Sequence, residues 1–292
     1  MYARLATSPG RPGRANEDFA GVVPRAAVLL DGAGIPGAES VCSHGVAWYT
    51  RRLGGTLLGH LSQDDGRSLP EVLAAAIAET AAAHQDTCDL SSPLSPQATV
   101  AIVRTPRRHL DDPALQGHRS HLELLLLGDS YLLLSRAGRG PQLLTDTREV
   151  TARRLCSAPL AGIPEDAPEY PRVRATCAEA LRARRNNLAH KGSYWLAKED
   201  PQAAGQAVTG SLSLSDLTSA TLLSNGAARL VTPYALTDWP GALHLLATHG
   251  ATGLLRRLRD AEERARPRYG APDDATVVHC TFRQPHLTCC GT

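Results

Sequence analysis

Asp31 closes the apolar run at residues 26–30, and the same arrangement recurs along the chain, an acid or an amide standing where a short apolar segment ends or begins. Residues 121–127 run into Gly128-Asp129-Ser130, residues 220–224 run into Asn225-Gly226, and Pro272-Asp273-Asp274 leads into residues 276–282. Glu17-Asp18 likewise precedes the short run at residues 19–23. Segments this short and this apolar predict buried strands. Carboxylates at strand ends can converge on one rim of a sheet, which acids scattered over exposed helices cannot do. Taken singly, Asp-Gly and Asn-Gly are ordinary turn dipeptides. Taken together, they constrain the fold.

Between these runs the pattern changes. Residues 38–61 and 69–84 predict two helices, the second with Leu69, Val72, Leu73, Ala76, Ile77 and Thr80 on one face. Residues 98–104 predict a strand, and the proline- and histidine-containing stretch 104–120 a loop between paired strands. Residues 121–127 and 131–135 resemble a hairpin with Asp129 at its turn. Residues 146–171 show weak periodicity and predict the start of a surface flap at about 146–190. Helical patterns return at 175–187, 201–209, 239–249 and 252–266. Paired strands and paired helices favour an α+β layered fold over a doubly wound sheet. One domain is expected over residues 1–282, followed by a tail at 283–292.

Composition narrows the partners. Of 292 residues 42% are hydrophobic, enough for a substantial core. The net charge is +2, which gives no reason to expect nucleic acid or an acidic membrane. Arginine supplies nearly all of the positive charge, the lysines being Lys191 and Lys198. No run reaches the roughly 20 apolar residues of a membrane span, and the first residues lack the apolar core of a secretory signal. The seven cysteines, with no C-x-x-C pair, read as reduced and mostly buried, and the expected location is the cytoplasm.

Several acids with no histidine or cysteine cluster beside them suit hard cations such as Mg²⁺ or Mn²⁺. Two such ions about 4 Å apart can hold a phosphoryl group and activate a water near neutral pH. The order of the motifs is more specific. Arg14-Ala-Asn16-Glu17-Asp18, Val28-Leu-Leu-Asp31-Gly32, Gly128-Asp129-Ser130, Leu222-Leu-Ser-Asn225-Gly226 and Asp273-Asp274-Ala-Thr276-Val277-Val278 fall in sequence over nearly the whole chain. This series resembles the PP2C-type (PPM) metal-dependent protein phosphatases, bacterial type. The resemblance implies an α-β-β-α sandwich, two antiparallel sheets flanked by helices, with a binuclear centre at one end. By position, Glu17, Asp31 and the Gly32 carbonyl would hold one metal, and Asp31, Asn225 and Asp273 the other. Asp18 would support the centre, Asp129 would help hold a third, weaker ion, and Arg14 would grip the substrate phosphate as a fork. The implied reaction is hydrolysis of phosphoserine or phosphothreonine by metal-activated water, with Asp31, Asp18 and Arg14 as the catalytic set.

The series also departs from that pattern. Asn225 replaces an Asp, removing one negative charge from the site, and Ala33 stands where some members carry a histidine. Arg14 lies one residue closer to the Glu-Asp pair than usual, with Arg11 as an alternative; Tyr131 replaces an arginine. Asp274 replaces an Asn, an added acid that could offset the charge missing at Asn225. The altered ligand keeps a second reading open, a degenerate domain that binds metal or a phosphorylated partner without turnover. A third reading is the same fold acting on a small phosphorylated metabolite. A GDSL-type esterase is disfavoured because a late Asp-x-x-His is missing. No phosphate-cradling G-x-x-x-x-G-K-[ST] loop occurs. Cys42 and His44 read as core packing at a helix start; His109, His118 and His121 read as solvated, with a zinc ion as the alternative.

Overall fold

In the computed structural model the chain is described at residues 1–34, 40–106, 121–265 and 271–282. The loop histidines His109 and His118 and the tail 283–292 lie outside these residues. Two five-stranded sheets, each wholly antiparallel, stack face to face. One runs in the order β2 (Phe19–Val23), β3 (Ala26–Ala33), β4 (Gln97–Arg104), β5 (His121–Leu127), β8 (Val208–Ser213). The other runs β1 (Tyr2–Ser8), β10 (Ala275–Thr281), β9 (Leu217–Leu223), β6 (Tyr131–Arg136), β7 (Gln142–Thr145).

Alternation along β3 shows how the layers form. Ala26, Val28 and Leu30 face α1 (Val46–Gln63) and α2 (Leu69–Ala82), packing with Tyr49, Leu53, Leu57, Leu73 and Ile77. Ala27 and Leu29 point the other way, into the opposing sheet, against residues such as Leu132, Leu134, Ala220, Leu222 and Val278. A third core lies under the outer face of the second sheet, where Leu133, Leu223 and Val277 meet Leu246, Leu254 and Leu258 of α6 (Trp239–Ala265). A strand buried on both faces must be apolar at every position, which is why residues 26–30 read as an unbroken run. The expected α-β-β-α sandwich is the observed one.

The face assigned to α2 is correct: Leu69, Val72, Leu73, Ala76, Ile77 and Thr80 are its buried residues. Ser68 caps it, accepting from the Glu71 amide while the Glu71 carboxylate accepts from the Ser68 amide. The pattern at 239–266 is also two helical segments, broken at Gly250 (φ 68°). Other expectations need correction. Residues 121–127 and 131–135 do not form a hairpin: β5 pairs with β4 and β8, β6 with β7 and β9, and Gly128-Asp129-Ser130 carries the chain between the sheets. Gly128 has φ 81°, and a Cβ there would press on Leu196 and Thr99. The first helix begins at Val46, well after residue 38. Residues 201–209 are a 3₁₀ turn followed by the edge strand β8. β1, β7 and β8 have no clear signal because edge strands bury little and carry mixed residues.

Candidate active site

Strand register decides where the acids go. Phe19 pairs with Leu30, Asp31 with Thr99, and Val100 with Leu127 in the first sheet. Val277 and Tyr131 both pair with Leu223 in the second, and Thr7 with Thr276. Each of the five motif segments therefore leaves its sheet at the same end of the sandwich. There they line one cavity of about 830 Å³, which includes Glu17, Asp31, Gly32, Asp129, Asn225 and Asp273, with Arg11 and Arg14 also on its wall.

The backbone is shaped for this convergence. Gly32 lies inside β3, and a Cβ there would strike the Glu17 carbonyl; a Cβ on Gly226 would strike the Asp274 carbonyl. Both glycines permit chain-to-chain approach within an extended strand and at the start of α5 (Asn225–Ala228), and neither makes a turn. Asp274 has a structural task. Its two carboxylate oxygens accept from the amides of Gly10 (2.7 Å) and Glu17 (2.6 Å), fixing the segment that carries Arg14 and Glu17. The acid expected to offset Asn225 is thus already engaged with backbone.

Electrostatically the floor of the cavity is unbalanced. Burial, and then the charges of Asp18, Asp129 and Asp273, push the Asp31 carboxyl well above the ordinary carboxylate range, against one hydrogen bond from the Asn225 amide. Asp18 is pushed up to about 7, chiefly by burial, despite hydrogen bonds from Thr276 and Ser224, and its Oδ2 is buried without a partner. Burial also raises Glu17 and Asp129, opposed by Arg14 and Arg153 respectively. Crowded oxygen donors that resist ionising alone suit a hard divalent cation. Glu17, Asp31, Asp129 and Asp273, the Asn225 amide oxygen and the Gly32 carbonyl are the donors available to one. No three of these carboxylates approach within 4.8 Å of one another; among the described residues, that spacing is met by Cys42, His44 and Cys88.

Cations stand at the rim. Arg14 is 3.9 Å from Glu17 Oε1 and its side chain is 64% exposed, free to swing toward a ligand. Two further wall residues escaped the sequence reading, Glu149 and Arg153 of α3 (Arg148–Ser157). Their 2.7 Å ion pair spans one helical turn, a spacing too common to signal a site. Glu149 is pushed up to about 7 by burial and then by the charge of Asp129. Cys42 and His44 also line the cavity.

Comparison with known proteins agrees with this geometry at the level of the fold. No protein-family model matches the chain, and no curated protein sequence is similar to it. Solved structures are similar. The serine/threonine phosphatase PstP/Ppp of Mycobacterium tuberculosis is 18% identical, with 97% of this chain and 98% of that one covered at a TM-score of 0.57. Stp1 of Staphylococcus aureus is 12% identical over 96% and 94%, with a TM-score of 0.60. The catalytic domain of PstP in complex with two manganese ions is 17% identical over 95% and 96%, at 0.52. This chain has the fold of the PPM serine/threonine phosphatases over nearly its whole length.

Proposed function

We propose that the protein is a metal-dependent phosphomonoester hydrolase acting on phosphoserine or phosphothreonine. The observation that carries this is the gathering of Glu17, Asp18, Asp31, Asp129 and Asp273 at one end of the sandwich, with Asp31 held far above its usual pKa by burial and by its neighbours. Mg²⁺ or Mn²⁺ bound to these oxygens would supply Lewis acidity and an activated water. Two ions, with a third at Asp129, is the proposed number; the neighbour with two manganese ions supports the first two. The chain's own residues orient the substrate. Arg14, with Arg11 as the alternative, meets the phosphate from the rim as a bidentate fork. The floor carboxylates would act on the phosphate through the cations they hold, and Asp18 Oδ2, buried and unpartnered, is placed to hold a water or its proton. The location proposed is the cytoplasm; among the described residues no helix is long and apolar enough to cross a membrane.

A second reading rests on Asn225. Its amide Nδ2 donates to Asp129 Oδ2 at 2.8 Å, so an intramolecular bond occupies a carboxylate that the resemblance assigns to metal. A domain arranged in this way binds a phosphorylated partner without turnover. Hydrolysis of p-nitrophenyl phosphate under Mn²⁺ titration separates the two. Turnover by the natural chain that is lost in Asp31→Ala supports the hydrolase. Turnover only after Asn225→Asp supports the binding domain, and turnover in neither overturns the first reading.

A further inference from the structure

Cys42, His44 and Cys88 form a cluster beside the acidic floor, with Cys42 and His44 on the wall of the same cavity, and no step of the proposed hydrolysis uses it. We infer that these three side chains are a second metal site, selective for zinc or another thiophilic divalent ion. Cys42 Sγ and Cys88 Sγ lie 3.2 Å apart, His44 Nδ1 is 3.3 Å from Cys88 Sγ, and Cys42 Sγ is 4.0 Å from His44 Nδ1. Bonds of about 2.3 Å to sulfur and 2.0 Å to nitrogen give a tetrahedral zinc ion edges of about 3.8 Å between sulfurs and about 3.5 Å between sulfur and nitrogen. The three observed separations straddle those edges. Small shifts would seat an ion, leaving its fourth position for water or a ligand from the cavity.

The site is built from two segments far apart in the chain. Cys42 and His44 precede α1, whereas Cys88 follows α2. The Asp89 amide donates to the Val41 carbonyl at 3.0 Å and clamps the two together. Backbone amides face both sulfurs: those of His44 and Gly45 at Cys42, and that of Ser43 at Cys88. Trp48 packs on the His44 ring, with centroids 4.4 Å apart, and fixes its orientation. A simple disulfide pair leaves the imidazole beside the sulfurs without a purpose; a metal uses all three.

Hard and soft donors divide the two sites. Thiolate and imidazole select zinc or cobalt, whereas the oxygen-only floor suits magnesium or manganese. Cobalt(II) added to the reduced, chelator-stripped chain tests this directly. The expected result is one equivalent bound with a sulfur-to-cobalt charge-transfer band and strong tetrahedral d–d bands, both bleached by zinc. Asp31→Ala should leave the spectrum intact, and Cys88→Ser should remove at least half of the charge-transfer intensity. Because Cys42 is buried, a second arm uses the unaltered chain: one equivalent of zinc should slow alkylation of Cys88 at least tenfold, read by peptide mass mapping, with Mg²⁺ giving no protection. Cobalt binding without sulfur charge transfer, or Cys88 alkylation unchanged by zinc, overturns the inference.

Discussion

The side-chain amide of Asn225 donates a 2.8 Å hydrogen bond to Asp129, while its backbone amide donates a second, also 2.8 Å, to Asp31. One residue therefore ties a carboxylate of β3 to one from the connection between the two sheets without any cation. An aspartate in its place would set a third carboxyl group against the pair, a crowding relieved by a cation or by a bound proton. Asn225 supports both carboxylates from within the chain.

Asn225→Asp should consequently have opposite effects in the two states. Without metal it removes a bond to a nearly buried carboxylate and adds repulsion, costing about 1–3 kcal/mol. With Mn²⁺ present the loss should reverse, and Mn²⁺ should bind at least about tenfold tighter, worth about 1.4 kcal/mol. Thermal unfolding with and without Mn²⁺, alongside calorimetric titration, measures both.

Glu149 offers a pH test. Its folded pKa of about 7 lies above the ordinary value of 4.5 because of burial and the nearby Asp129 charge. Between those values the folded state holds a proton that the unfolded state has lost, so metal-free stability falls as pH rises from about 4.5 to 7 and levels off above. The full shift corresponds to about 3 kcal/mol as an upper bound. Denaturant unfolding of the metal-free chain at pH 5 and pH 7.5 should show the decline, and Glu149→Gln should make it shallower, the raised Asp18 and Asp31 carrying the rest.

Gly226→Ala should disrupt the site through backbone alone. The new methyl would collide with the Asp274 carbonyl and move the segment that carries Asp273. Overpacking of this kind costs about 1–3 kcal/mol. Mn²⁺ affinity should fall with stability, whereas Gly140→Ala, where the added carbon meets nothing within 4 Å, should change neither.

Asp274→Ala should free the Gly10–Glu17 segment. Two part-buried amides lose their acceptor, at a cost of about 1–3 kcal/mol for each one left unsatisfied. Hydrogen exchange at Gly10 and Glu17 should accelerate, and the Mn²⁺ affinity should drop although Asp274 itself is no proposed ligand. Unchanged exchange at both amides would contradict the anchoring role.

Much of the fold is legible in the chain because burial on both faces leaves a plain mark. Residues 26–30 and 124–127 are continuous apolar runs for that reason, and the six-residue face of α2 is visible through its helical period. Edge strands leave no such mark: β1 mixes Tyr2, Arg4 and Thr7 with alanines, and four of its seven positions stay exposed. The apparent hairpin at Asp129 fails on a tertiary fact. Two adjacent apolar strands look alike whether they pair with each other or with strands of opposing sheets. Arg153 and Glu149 were invisible because an i,i+4 ion pair on a helix looks the same beside a pocket as anywhere else.

Local periodicity, and the set of residues that cannot meet water, are enough to order the four acidic motifs and the Asn225-Gly226 motif, to give the layered α+β class, and to mark the apolar runs that force two stacked sheets. Tertiary structure alone decided what those acids touch. It gave Asp274 to the backbone of Gly10 and Glu17, turned Asn225 toward Asp129, and brought Cys88 beside Cys42 and His44. Those outcomes follow from strand register and helix packing between residues far apart in the chain, and no short-range pattern encodes that distance.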